Sequence, residues 1–404
     1  MRTAKRYRGV NIRVRKIEIN GKTFQLIIHP SQKKILVGES VLDRLSNAEL
    51  NIIARKKGYF AKRLEPNILT IFYVPSWKCN LKCTYCFENS DEHLCEKTID
   101  NVQWEAVIKE HIHRKNFSGI NIVFFGGEPT LFLRECEEFY DMVFRISSEV
   151  DVYSSLVTNA YEICDDFISF CKHCKVSNIQ ITLDPGRKYH DVSRITKNQN
   201  GTYSKVVQNT KKLAELNLPI TIRTNVDNDN IDGLNDLCEQ LIDISKENTL
   251  FWSIAPIMST AKASQEILKV EKVNKVIETI MFKIEKSNIQ MVLWGCACDF
   301  WGDSLLVLSP DGETYNCVNF CKHGITKADI MKCSHMVKKC ERCFWFTICD
   351  GGCKYQNFLQ NDSFDIPFCM RPIFESIVMP IIINKIKVNL ARAKGKLKIF
   401  EIEL

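Results

Sequence analysis

The 404-residue chain contains no run of about 18 consecutive apolar residues, which argues against a membrane-spanning helix. Its start, Met1-Arg-Thr-Ala-Lys-Arg-Tyr-Arg-Gly-Val-Asn, is basic but has no apolar segment of the kind that makes a signal peptide. There is no internal repeat, no low-complexity tract and no bulk excess of one charge: 55 Lys and Arg against 48 Asp and Glu leave +7. Nucleic-acid binders concentrate positive charge more strongly, so neither nucleic acid nor membrane is an expected partner, and a cytoplasmic location is expected. A composition of 45% apolar and 25% charged residues is that of a folded protein with ample chain for a core. At ~100–200 residues per domain, two or three domains are expected.

What the chain has in excess is cysteine, with 19 residues. Without an export signal, and with enough length to need no covalent staples, such a chain uses thiolates as metal ligands more often than as disulfides. Three lie within eight residues, Cys79 to Cys86, and ten fall between Cys296 and Cys369. Cys95, Cys136, Cys164, Cys171, Cys174 and Cys238 sit in segments that read as core or helix and are expected to be small buried hydrophobes.

From Ile71 to Ile257 short apolar runs alternate with amphipathic stretches, the pattern of β-α units around a parallel sheet. Six strands are expected, Ile71–Ser76, Asn121–Phe125, Val152–Thr158, Asn178–Leu183, Ile220–Asn225 and Leu250–Ile257, enough to close a partial (β/α)6 TIM-like barrel. Helices are expected over Ile99–Lys115, Leu133–Ser148, Ser204–Asn217, Ile231–Lys246 and Ser264–Lys286. Ahead of them, residues 1–66 read as a small β-rich module: strands Val14–Ile19, Thr23–Ile28 and Lys34–Val37, an Asn20-Gly21 hairpin turn, and a helix Ser40–Arg55. The barrel core is expected over residues 67–290, and a cysteine-rich domain over 291–372, where periodicity gives way to Cys, Gly and aromatic residues. A C-terminal helix and tail fill 373–404, with Pro380 expected to break or kink the helix.

Three motifs carry chemistry. Cys79-Asn-Leu-Lys-Cys83-Thr-Tyr-Cys86 follows the first barrel strand; three thiolates on one loop can hold three irons of a [4Fe–4S] cube and leave the fourth open. The competing reading is zinc, which wants four ligands, with His93 or Cys95 as candidate fourth. Gly126-Gly127-Glu128-Pro129 follows the second strand, where glycines let a ligand approach the backbone and a carboxylate can bind an amine. Thr158-Asn159, Thr182-Leu-Asp184 and Arg223-Thr-Asn225 end the next three strands, so polar residues ring one face of the barrel. The third motif is Cys298, Gly312-x4-Cys317, Cys340-x2-Cys343-x5-Cys349-x3-Cys353 and Cys369; paired zinc ribbons would need a second Cys-x2-Cys pair here, and only one exists.

A Cys-x3-Cys-x-aromatic-Cys loop followed by Gly-Gly-Glu-Pro resembles the radical S-adenosylmethionine (SAM) superfamily over roughly Phe72 to Ile257. The run Leu183-Asp-Pro-Gly-Arg-Lys-Tyr-His190-Asp191-Val-Ser-Arg194 is similar to one in its peptide-modifying branch. Two positions depart: Ala160 follows Asn159 where Gly is usual, and Pro185 interrupts Asp-Gly. The C-terminal cysteines resemble a SPASM domain, which binds two auxiliary [4Fe–4S] clusters. By that resemblance Cys340, Cys343, Cys349 and Cys369 hold one, and Cys298, Cys317 and Cys353 the other, with Cys296, Cys321 or an open position as its fourth ligand.

The resemblance implies that the cluster on Cys79, Cys83 and Cys86 binds SAM, with Glu128 on its amino group, Gly126 and Gly127 letting the backbone close in, Arg194 on its carboxylate, and Asn159 and Thr182 near the ribose or sulfonium. It implies an oxidoreductase in which SAM yields a 5′-deoxyadenosyl radical that takes a hydrogen atom from a peptide or protein substrate. A flavodoxin- or ferredoxin-type donor would supply the electron. The leading expectation is a maturase of a ribosomally made peptide, forming a thioether or carbon–carbon crosslink, with residues 1–66 as a possible leader-peptide module. The alternatives are an anaerobic sulfatase maturase making formylglycine, whose family has Asp where Val318 stands here, and a non-catalytic iron–sulfur or zinc scaffold.

Overall fold

A computed structural model describes residues 4–7, 10–29, 34–54, 68–88, 101–115, 117–147, 149–257, 270–293, 304–331, 340, 343–349, 351–364, 366–393 and 399–403. The calls on His93, Cys95, Cys296 and Cys298 lie outside these residues. Among the described residues no helix is long and apolar enough to cross a membrane.

The N-terminal segment is a hairpin, β1 (Ala4–Tyr7) and β2 (Val10–Arg13), followed by three antiparallel strands, β3 (Arg15–Ile19), β4 (Lys22–His29) and β5 (Lys34–Gly38). Asn20 and Gly21 join β3 to β4 with both φ positive, at 50° and 74°, as a two-residue hairpin turn requires. The expected helix 40–55 is instead two, Val41–Arg44 and Asn47–Ala54. The break has a local cause: the Ser46 N–H and Oγ donate to Glu49 Oε2 while Ser46 Oγ accepts the Glu49 N–H, a capping box that starts a new helix.

The six expected parallel strands are present as β6 (Ile68–Tyr73), β7 (Gly119–Phe124), β8 (Asp151–Thr158), β9 (Val176–Thr182), β10 (Ile220–Val226) and β11 (Leu250–Pro256), paired in chain order. The helices Asn101–Arg114, Leu133–Ile146, Tyr203–Glu215, Leu234–Ile244 and Val270–Ile284 accompany them. Alternate residues of β8 are buried, and the Leu133–Ile146 helix presents Cys136, Phe139, Tyr140 and Val143 inward, with Tyr73 stacked on Phe139 at 3.9 Å. The sheet runs further than expected: β12 (Ile289–Val292) extends it beyond β11, while β13 (Leu305–Leu308), parallel to β6, and β14 (Thr314–Tyr315) extend the other side. The cysteine-rich segment therefore enters the structure as a continuation of the barrel sheet.

The C-terminus corrects one expectation. Pro380 does not break its helix: it lies in the first turn of Met379–Arg392, directly after a π-helical turn, Phe374–Val378. A first turn tolerates the missing N–H, and the wider turn before it shifts the backbone register. The tail carries β15 (Ile399–Glu403), which pairs antiparallel with β5, giving the order β15-β5-β4-β3. Glu375, in the π-turn, accepts both Arg15 Nη groups at 2.8 Å and the Trp345 Nε1–H at 3.0 Å, tying β3 to the cysteine-rich segment. Of the cysteines expected as buried filler, Cys136, Cys171, Cys174 and Cys238 are buried but Cys164 is exposed.

Candidate active site

The cysteine loop leaves β6 and is pinned from beneath by the segment after the Gly186–Ser193 helix. Lys82 N–H donates to Ile195 O at 2.7 Å, Thr84 N–H to Ser193 O at 2.8 Å, and Leu81 bridges Thr196. From the other side the Gly-Gly-Glu-Pro loop lies directly on it. Gly127 N–H donates to Ser76 O and Glu128 N–H to Lys78 O. A Cβ on Gly127 would sit 2.3 Å from the carbonyl oxygens of both Trp77 and Lys78, and one on Gly126, at φ +133°, 2.6 Å from Ser76 O. What these glycines admit is the chain's own cysteine loop.

Glu128 is 1% exposed. Its Oε1 accepts from Thr130 N–H, Thr130 Oγ1 and Thr158 Oγ1, and among the described residues its Oε2 accepts only the Asn159 N–H, at 2.7 Å. Oε2 thus keeps capacity for one more donor. Burial pushes its pKa up, against the pull of these donors. Glu88 faces the same cavity, and burial followed by the neighbouring Glu128 pushes its pKa well up. Two carboxyls that burial disfavours as anions make a receptive place for a cation.

At the end of β8, Ala160 adopts φ +53°, the left-handed conformation that explains why Gly suits this position. Asn159 lines the cavity, but its carboxamide is engaged: Oδ1 accepts from Tyr161 N–H, while Nδ2 donates to Asn80 Oδ1 at 2.8 Å and Cys79 Sγ at 3.6 Å.

Opposite lies a buried network. Tyr85 O–H, between Cys83 and Cys86, donates to Asp184 Oδ2 at 2.5 Å and accepts from Arg194 Nη1 at 3.0 Å and Asn225 Nδ2 at 3.3 Å. Burial raises the pKa of both Tyr85 and Asp184. Burial opposes the charge of Arg194, but Cys83, Tyr85 and Asp184 outweigh it and hold the guanidinium charged. Its Nε is buried with no partner among the described residues, at the cavity wall. His190 is structural. Its Nδ1 accepts from Asp184 N–H, and its Nε2 faces Thr202 Oγ1, whose own proton goes to Arg194 O, so the ring is neutral and carries its proton on Nε2. Burial lowers its pKa accordingly.

One cavity of about 460 Å³ joins these parts. Cys79, Cys83, Cys86, Gly126, Gly127, Glu128, Asn159, Thr182 and Arg194 all line it, as do Thr158, Arg223 and Asn225, whereas Asp184 and His190 are not among the lining residues. Its other wall was not foreseen: Val318 and Asn319, next to Cys317, and Tyr355 and Gln356, next to Cys353, with Cys353 itself. Their signal was adjacency to the C-terminal cysteines. In that segment Cys349 lies among Cys343, Cys340 and Cys369, whose charges join burial in raising its pKa to about 12. Cys317 and Cys353 pack together against Phe320, Ile330 and Tyr355, whereas Cys321 is buried with Val307 and Tyr315.

Among the described residues no three His, Cys, Asp or Glu side chains converge on one ion. Three thiols around a shared cavity, beside an unpartnered guanidinium N–H that calls for an anion, fit an iron–sulfur cube with an open corner and a zwitterionic ligand against it. The match to the radical SAM superfamily spans residues 73–241. This segment is a radical SAM domain.

The radical SAM domain has informative relatives. The chain is 23% identical over 349 residues, covering 73% of itself and 90% of the relative, to a cysteine-type anaerobic sulfatase-maturating enzyme of Clostridium novyi. It is 22% identical over 338 residues to a PqqA peptide cyclase of Bradyrhizobium diazoefficiens, covering 74% of itself and 86% of that protein. The fold matches anSMEcpe solved with bound AdoMet and a Cp18Cys peptide, with a TM-score of 0.59 at 19% identity, over 79% of this chain and 99% of that one. A radical SAM enzyme takes a [4Fe–4S] cluster and SAM.

Burial, the largest influence, pushes Cys79 up to about 11 and Cys86 up to about 12. A thiol raised above its unfolded value of ~8.5 stabilises the fold below that pH, and the contribution is lost as pH rises through the folded value. The melting temperature of iron-free protein is therefore expected to fall as pH rises from about 8.5 towards about 11. In a Cys79→Ala/Cys86→Ala variant that fall should be shallower; an equal slope would mean these thiols do not feel their burial. Iron ligation must expel the same protons.

Proposed function

We propose that the chain is a radical SAM maturase that installs an oxidative thioether or carbon–carbon crosslink on a ribosomally made peptide, helped by two auxiliary clusters. The observation that carries this reading is the shared cavity: the Cys79–Cys86 loop and the Cys317 and Cys353 segments face each other across it. In a maturase, that arrangement puts the target carbon between the site where a radical is made and a redox centre that takes an electron from the product.

The chain's own residues do the positioning. Glu128 Oε2 accepts the amino group of SAM, and the charged Arg194, with its spare Nε–H, takes the carboxylate. Thr182 and Gln180 face the rest of the cofactor from β9. Phe87, Phe125, Pro256 and Ile257 supply an apolar lining that excludes water from a reactive site. When bound, the cluster supplies the electron that splits SAM, which no side chain can provide.

Cys340, Cys343, Cys349 and Cys369 form the ligand set of one auxiliary cluster; Cys317, Cys353 and Cys298 serve the other. The burial of Cys321 among apolar side chains favours Cys296 or an open position as the remaining ligand. At the N-terminus β15 covers β5, so an incoming leader peptide adds along the β3 edge of that sheet. A flavodoxin- or ferredoxin-type donor delivers electrons.

The test is to incubate anaerobically purified protein with SAM, dithionite and a small cysteine-rich peptide encoded by a neighbouring gene. 5′-Deoxyadenosine and a peptide lighter by two hydrogens are expected; no deoxyadenosine from iron-loaded protein would overturn the reading. The sulfatase-maturase alternative is favoured by the Clostridium novyi relative's long match and opposed by Val318, which puts a side chain without a base at the cavity wall. Conversion of a sulfatase-derived cysteine peptide to formylglycine would decide for it. Colourless, zinc-bound protein would decide for a scaffold.

A further inference from the structure

We propose that Asn159 is a positioning residue that raises the reduction potential of the cluster on Cys79, Cys83 and Cys86, through a hydrogen bond from its carboxamide to the Cys79 sulfur. The inference rests on the reading above that these thiols hold the cluster. Asn159 is 6% exposed and stands at the end of β8. Its Oδ1 accepts the Tyr161 N–H at 2.8 Å, so the other amide atom is the NH2 group and the direction of the remaining bonds is fixed. That NH2 donates to Asn80 Oδ1 at 2.8 Å, which anchors it, and to Cys79 Sγ at 3.6 Å. The Leu81 N–H reaches the same sulfur at 3.4 Å, so Cys79 receives two donors.

The chemistry follows from charge. Reduction adds an electron to a cluster whose sulfurs already carry negative charge, and donors to those sulfurs favour the reduced state. The donor is buried, and away from bulk water such a dipole counts for more. Asn159 also has a second attachment, its backbone N–H to Glu128 Oε2 at 2.7 Å. One residue therefore touches a cluster sulfur with its side chain and the amine-binding carboxylate with its backbone, holding the electron source and the SAM methionine in fixed relation. Side-chain substitutions leave the backbone contact in place, so the two roles can be separated.

The experiment is an anaerobic redox titration of full-length protein, followed by electron paramagnetic resonance of the reduced cluster, for wild type, Asn159→Asp and Asn159→Leu. The Asp variant keeps an oxygen for Tyr161 N–H but replaces the donor with a negative acceptor; the Leu variant removes both. Iron content equal to wild type is expected in the Asp variant, with the midpoint potential of the SAM-binding cluster shifted down in both and furthest in Asp. Deoxyadenosine formation should fall several-fold more with a flavodoxin donor than with excess dithionite. An unchanged potential in an iron-loaded variant overturns the proposal. So does loss of iron from both variants, which would make Asn159 a structural support of the loop. A wild-type protein that binds no iron would instead overturn the reading beneath it.

Discussion

Alanine at Cys79, Cys83 and Cys86 together should reduce SAM cleavage to below detection while most of the remaining iron stays bound. The argument is one of separation. These thiols belong to a loop between β6 and the Asn101–Arg114 helix, held by the Gly-Gly-Glu-Pro loop and by residues 193–196. The Cys340, Cys343, Cys349 and Cys369 group is built by other contacts. Cys343 N–H donates to Cys340 O, Gly352 N–H to Cys349 O, and Asn357 Oδ1 accepts the Phe368 N–H beside Cys369. Losing one site leaves the framework of the other intact. If three clusters are present, iron should drop by about one third. Deoxyadenosine detected by chromatography from the triple variant would remove the cluster on this loop from the chemistry, whatever the iron count.

The parallel barrel was legible because short apolar, β-branched runs bounded by turns alternate with amphipathic helical stretches. β10 and β11 lie within a residue or so of expectation, while β6 begins three residues earlier, since Val74-Pro75-Ser76 looked like strand and is the approach to the cysteine loop. Topology was less accessible. Ile399-Phe-Glu-Ile-Glu403 alternates as an edge strand does, yet nothing local names β5, more than 350 residues earlier, as its partner. The barrel half of the site was marked by motif and by position at strand ends. The Asn319 and Tyr355 half was not, because those residues acquire a role only when β13 joins β6 and brings the cysteine-rich segment over the barrel mouth. His190 shows the opposite error available to sequence reading: it sits in a family-like run near the site, but its ring is spent bracing Asp184 and Thr202.

The same lesson fixes the second large effect, Gly127→Ala. Read from sequence alone, a glycine here leaves room for ligand, and alanine should weaken SAM binding while sparing the fold. The structure adds a backbone contact to that expectation, because the added methyl would also meet the Trp77 and Lys78 carbonyl oxygens at 2.3 Å, and those atoms are backbone of the loop that carries Cys79. No rotamer change relieves such a contact. The Gly-Gly-Glu-Pro loop must lift, breaking the Gly127 N–H to Ser76 O and Glu128 N–H to Lys78 O bonds and moving Glu128 and Cys79 apart. Gly127→Ala is thus expected to lose the cluster as well as SAM, with stability reduced by about 1–3 kcal/mol. Gly119→Ala, where the nearest atom lies at an ordinary 3.4 Å, should keep both. Iron content and SAM affinity, measured on the two variants side by side, separate the accounts: a Gly127→Ala protein with full iron and only weakened SAM binding would mean that the glycine serves the ligand after all.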